Sequence, residues 1–113
     1  MEIKEDRRDG VLVIALAGRV DSTTAPTLEA HLGRLEKDST RRLVVDFSGV
    51  EYISSAGLRI MLILAKRARE QQSALALCAL GENVRQVFEL AGFLPLFIVK
   101  GSQSAAVAAV TGV

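Results

Sequence analysis

Tryptophan is absent, tyrosine occurs once and phenylalanine four times. So thin an aromatic complement argues against a stacking platform for single-stranded nucleic acid, which needs aromatic faces along a basic groove. Charge gives no such partner either: 14 basic and 13 acidic residues leave a net +1, with no excess to hold a phosphate backbone or an anionic membrane. A single cysteine, Cys78, excludes a disulfide framework and a thiolate metal cluster. Within the apolar stretch ALALCAL it reads as a small core residue. The single histidine, His31, has no thiol or second imidazole to complete a metal site and reads as a surface or boundary residue. With no nucleophile-elbow or metal motif, a conventional hydrolase is disfavoured. No uninterrupted apolar segment approaches the ~20 residues of a membrane span, and MEIKEDRRDG lacks the apolar core of a secretory signal. The expectation is a cytoplasmic protein with no cofactor, metal, nucleic acid or membrane insertion.

What is present is an alternation of apolar runs with amphipathic ones, and 113 residues suffice for one domain with a working core. EIKEDRR reads as an edge strand, and Asp9-Gly10 as a hairpin turn. VLVIALAG is near-continuous in apolar and β-branched residues, as befits a central strand covered on both faces, and stops at Gly18. A helix follows, with Thr24 as N-cap, Pro26 in its first turn, and Leu28, Leu32 and Leu35 on one face. RRLVVDFSG is the next strand, ending near Asp46, and SAGLRIMLILAKRAREQQ is the longest helix. SALALCAL gives a strand, and GENVRQVFELAG a helix with Val84, Val87, Phe88 and Ala91 inward. A short strand follows Pro95, and a last helix is capped by Ser102. The order β-β-α-β-α-β-α-β-α implies an α/β domain over residues 1–113, with a mixed sheet, mostly parallel central strands and four helices.

ISSAGLRIM places two hydroxyls and a glycine where a strand ends and the long helix begins. Projection at ~100° per residue puts Leu58, Met61, Leu62, Ala65 and Ala68 on the sheet side. Arg59, Ile60, Ile63, Lys66 and Arg67 fall on the other side, with Ala56 at its start. Two isoleucines among basic residues on a solvent face suggest a docking surface, and partial cover by a loop is the plainer alternative. The serines admit two readings as well. A serine at a helix start caps an unpaired amide, and the same amides with the helix dipole favour a phosphate. Gly57 suits either, because without a Cβ another backbone or a phosphate can approach closely.

LAGRVDSTTAPTLEAHL, LVVDFSGVEYISSAGLRIML and NVRQVFELAGF together resemble, in order and spacing, the STAS domains. In particular the chain is similar to bacterial anti-sigma factor antagonists, and the likeness covers essentially its whole length. The resemblance implies a regulatory protein that binds an anti-sigma factor which is also a serine kinase. Phosphorylation of one serine at the start of the second helix would dissociate the pair, and a serine phosphatase would reverse it. In the pattern Asp-Ser-(Ser/Thr)-Gly-Leu the acceptor stands two positions before the glycine, which is Ser55 here, with Ser54 as fallback. The family aspartate falls on Ser54, a departure, and the second hydroxyl falls on Ala56. By the same resemblance Asp21, Ser22 and Thr23 lie near Ser55. They join Ser54, Ala56, Gly57, Arg59, Ile60, Ile63 and Arg67 in the partner surface.

Two other functions remain open. A STAS accessory subunit would dock a permanent partner, in a lipid-transport or stress-signalling assembly, through Ile60 and Ile63, with Ser55 only capping. A receiver-like phosphoryl-transfer domain would use Asp46, though turn stabilisation is the plainer role for that carboxylate, and VLVIALAGRV offers no acidic pair for magnesium.

Overall fold

The computed structural model describes residues 1–37 and 41–112, with the side chains of 35–37 left out, so Leu35 lies outside the described side chains. Five strands form one sheet in the order β1-β2-β3-β4-β5. β1 (Glu2–Arg8) pairs antiparallel with β2 (Val11–Val20) across Asp9 and Gly10. Both turn residues have positive φ, 54° and 78°, the combination that matches a tight hairpin to the strand twist. β3 (Arg42–Ile53), β4 (Ala74–Cys78) and β5 (Ile98–Lys100) then add in parallel. Helices α1 (Ala25–Lys37), α2 (Ser55–Glu70) and α3 (Glu82–Leu90) connect the parallel strands, and α4 (Gln103–Thr111) follows β5. The expected element order is therefore observed, with a 3-10 turn at Leu94–Leu96 as the one addition among the described residues.

The two faces of the sheet are covered unequally. Leu12, Ile14, Leu16, Leu43, Val45 and Phe47 meet Leu28 and Leu32 of α1, Leu58 and Met61 of α2, and Val84 and Phe88 of α3. Phe88 sits edge-on to both Phe47 and Phe97, with ring centroids 5.9 Å apart in each pair. On the reverse, Val11, Val13, Val44, Ala76 and Cys78 are covered by Ala106, Val107 and Val110 of α4. Ser102 caps α4 through the Ala105 amide, 3.2 Å away, as expected. Ala91, expected inward, is exposed at the end of α3.

Two strands run further than the sequence suggests. β2 does not stop at Gly18 but continues through it at φ +99° to Val20. Asp46 is not at a strand end either: β3 passes Gly49 and extends to Ile53. A Cβ on Gly49 would lie 2.9 Å from Ala17 Cβ and 3.0 Å from Leu16 O, so this glycine permits close strand contact and does not break the strand. Val50 and Ile53 then turn into the core. The extension carries the pair to Val20↔Ile53, which brings the loop after β2 beside the start of α2.

Candidate functional site

Ser54 and Ser55 have separate roles. Ser54 is extended (φ −93°, ψ 175°) and its hydroxyl accepts from the Gly57 amide at 3.3 Å, making it the N-cap of α2. Its own N–H donates to Val20 O at 2.8 Å, tying the cap to the end of β2. Aspartate and serine are both strong N-caps, so Ser54 fills by hydroxyl the structural role open to the family aspartate. Ser55 is the first residue of α2, is exposed, and has no side-chain hydrogen bond among the described residues. It stands beside the unpaired amides of the first turn, where the helix dipole favours negative charge.

Asp21 organises the neighbouring loop. Its Oδ1 accepts from the amides of Thr23 (3.0 Å) and Thr24 (3.2 Å), while its own N–H donates to Thr24 Oγ1 at 2.9 Å. Asp21 O also accepts from the Ala25 amide at 2.7 Å. This reciprocal arrangement has the form of a capping box and closes the turn that precedes α1, while Thr24, next to Ala25, accepts at its carbonyl from the Leu28 amide at 3.2 Å as the residue before the helix. Thr24 also donates its hydroxyl to Arg19 O at 2.9 Å. The Thr24 amide, more than any other group, holds the Asp21 carboxyl below its ordinary value of 3.8. Partial burial opposes this, and the Thr23 amide, the Thr24 hydroxyl and the Arg19 guanidinium add to it. Ser22 and Thr23 are exposed at the tip.

Arg19 and Tyr52 belong to the same patch and are absent from the sequence-based candidates. The Arg19 guanidinium lies 4.3 Å over the Tyr52 ring and 3.5 Å from Asp21 Oδ2. The two residues are register partners in the extended β2–β3 pair, so only recognition that β3 continues through VEYI would have found them.

The outer face of α2 differs from the projection at Ala56, Ile60, Leu62 and Arg67. Gly57 is buried: a Cβ there would lie 2.8 Å from Ile53 Cγ1 and from Val20 Cγ1, so its close approach is to β2 and β3, not to a partner. Ile60 is 7% exposed and part of the core. Leu62, expected inward, is half-exposed, as is Ile63. The outward stripe is thus Ser55, Arg59, Leu62, Ile63, Lys66 and Arg69. Leu62, Ala65, Lys66 and Arg69 form, with Leu96, a shallow groove of about 110 Å³. Ala56 is half-buried against the core, and Arg67 is half-buried and not a free cation.

Asp46 lies on the other face of the sheet and is 7% exposed. Its Oδ1 accepts from the Ser48 amide and its Oδ2 from Gln103 Nε2 of α4, each at 2.8 Å. A carboxylate so enclosed is poorly placed to accept a phosphoryl group, and no cluster of three His, Cys, Asp or Glu side chains suited to a metal occurs among the described residues. Cys78 beside it is fully buried. Burial, and then the Asp46 charge, push its thiol up to about 12. His31 sits at the edge of α1, Nε2 2.5 Å from Glu5 Oε1. No described helix is long and apolar enough to cross a membrane.

Comparison with known proteins places this geometry in context. The STAS domain model matches residues 2–107. The BtrV protein of Bordetella bronchiseptica, provisionally described as an anti-sigma factor antagonist, is 46% identical over 109 residues, covering 96% of this chain and 94% of that one. The anti-sigma-F factor antagonist RsfB of Mycobacterium tuberculosis is 32% identical over 84 residues, covering 74% and 68%. A crystal structure of an anti-sigma factor antagonist from Mycobacterium paratuberculosis superposes with a TM-score of 0.90 at 30% identity, covering 97% of this chain and 93% of that one.

Proposed function

The chain belongs to the STAS domain family, and from that premise we propose that it is a phosphorylation-switched binding protein with no catalysis of its own. In its unmodified form it binds an anti-sigma factor that is also a serine kinase, and so releases the sigma factor or another output. Phosphorylation on Ser55 dissociates the complex, and a serine phosphatase restores it. The observation that supports this reading is the division between the two serines: Ser54 is committed to capping, and Ser55 is exposed with its hydroxyl uncommitted.

The physical argument is one of asymmetry. A phosphoserine brings roughly −1.5 to −2 charge. At the first turn of α2 the free amides and helix dipole accept that charge, so the fold tolerates it. Arg59, one turn along the same exposed stripe, is placed to pair with it. A partner packed over this surface has no such compensation, and a hundredfold loss of affinity requires only about 2.8 kcal/mol. The Asp21–Ser22–Thr23 loop, with Arg19 and Tyr52, supplies the second wall of the surface.

The test has two stages. Peptide mass spectrometry of the protein from its native cells, read separately at Ser54 and Ser55, is expected to find phosphate on Ser55 that phosphatase removes. With the kinase so identified, Ser55→Ala is expected to bind it without being phosphorylated, and Ser55→Asp to bind on the order of a hundredfold more weakly. Equal binding by a stoichiometrically phosphorylated sample would overturn the switch. Recovery free of phosphate in every growth condition, together with a constitutive partner, would favour the accessory-subunit role.

A further inference from the structure

The outer edge of the sheet carries a self-complementary charge pattern. β1 pairs with β2 along one side only, from Glu2↔Ala17 to Arg8↔Val11. Ile3 packs onto the core and Glu5 reaches His31 of α1, so the odd-numbered side chains lie on the α1 face. Arg8 reaches Gln103 of α4, at 2.5 Å, so the even-numbered ones lie on the other. The Arg7 N–H is met by its neighbour Asp6 Oδ1 at 2.9 Å and not by β2. Backbone groups in an antiparallel ladder alternate between the two sides of a strand. Ile3, Glu5 and Arg7 therefore present their N–H and C=O groups outward, and pairing exchanges the Asp6 carboxylate on the Arg7 N–H for a carbonyl of the incoming strand.

An antiparallel strand laid on this edge must match outward residues with outward residues, which limits a second copy to a few registers. Centred on Glu5, the pairing sets Glu2 against Arg8 and Lys4 against Asp6, each pair occurring twice by symmetry. These fall at the non-hydrogen-bonded positions, where facing side chains come closest. A two-residue shift one way sets Lys4 against Lys4 and Glu2 against Asp6. The opposite shift sets Asp6 against Asp6 and Lys4 against Arg8, with only Glu5 against Arg7 of opposite sign. Glu5 meets itself on the axis of the favoured register, the one like-charge contact there. Charges on an edge strand ordinarily prevent pairing. Of the three registers that pair five or more residues of β1, the order of these charges favours the one about Glu5.

We propose that β1 is a self-association edge that takes a second copy of this chain, antiparallel about Glu5, and joins the two sheets across a two-fold axis. This inference is independent of Ser55 and its modification. Sedimentation velocity over a concentration series at low ionic strength is expected to show a monomer–dimer equilibrium that weakens as salt rises. Lys4→Asp alone and Asp6→Lys alone set like charges opposite one another, and each is expected to weaken the dimer by about tenfold or more. The double variant Lys4→Asp/Asp6→Lys restores the pairs with signs exchanged and is expected to recover the wild-type dimer to within about threefold. Thermal melts of the variants confirm that they fold. The proposal is overturned by a protein that stays monomeric at every concentration, as it would if the edge took a strand from another protein. It is equally overturned by a dimer insensitive to the single changes, which would lie on another face, or by a double variant that fails to recover.

Discussion

Asp21 is the residue on which the geometry beside Ser55 depends, because one carboxylate oxygen holds two successive amides and the Thr24 hydroxyl returns the bond. These bonds favour the ionised form, so the carboxyl titrates below its ordinary 3.8 in the folded protein, with the Thr24 amide as the largest cause. The sign of the pH effect follows. The stabilisation is present in full above the unfolded-state value and is lost as pH falls through the depressed folded-state value. Asp21→Asn is therefore expected to be less stable than the wild type at neutral pH, with the gap closing below about pH 4. Urea denaturation at a series of pH values measures it, and a gap constant down to pH 2 would show that the carboxylate charge contributes nothing. The motif GRVDSTTA was enough to mark Asp21 by resemblance. That it closes the turn before α1 depends on how the chain leaves β2, which composition does not encode.

At the scale of the element, α2 shows both what helical periodicity captures and where it stops. The 100° projection correctly places Leu58, Met61 and Ala68 inward and Arg59 and Lys66 outward. It misplaces Ile60, because α1 packs alongside α2 and widens the buried arc beyond the sheet-facing stripe. Nothing within SAGLRIMLILAKRARE reports that neighbour. The same holds for β3, where a glycine that would ordinarily punctuate a strand is required by the approach of Ala17. The two isoleucines of α2 should consequently respond differently to truncation. Ile60→Ala is expected to cost about 2–5 kcal/mol in urea denaturation, as a core aliphatic does. Ile63→Ala, half-exposed and outside the core, is expected to cost under about 1 kcal/mol. A partner-binding assay should rank them in reverse, with Ile63→Ala the weaker binder relative to its folded fraction. Equal stability losses would mean that Ile63 is as buried as Ile60.

At the scale of the whole molecule, the sheet divides the protein into a thick layer of three helices and a thin one of a single helix. The parallel α/β architecture was legible from the alternation of apolar strands and helices, but which helix crosses to which face was not. Among the described residues α4 alone covers the reverse, through Ala106, Val107 and Val110, and its small side chains bury less apolar area than the leucines and phenylalanines opposite. A polar bridge compensates in part: Gln103 links the Asp46 carboxylate of β3 to Arg8 of β1. Cys78 beneath it reports on this layer, being fully buried with its thiol raised to about 12. At pH 8 such a thiol is almost wholly protonated and shielded, so reaction with a disulfide reagent requires α4 to lift. Labelling of the native protein is expected to be slow but faster than global unfolding allows, with only a shallow dependence on urea. Gln103→Ala removes a partner of a buried carboxylate, at a cost of about 1–3 kcal/mol. It is expected to accelerate labelling by about tenfold and to lower the deuterium-exchange protection of β2 and β3 by a like factor, so that labelling stays the faster process in both proteins. Should labelling instead follow global unfolding in both proteins, with β2 and β3 exchanging in step, α4 would be part of a single cooperative unit and the two layers would open together.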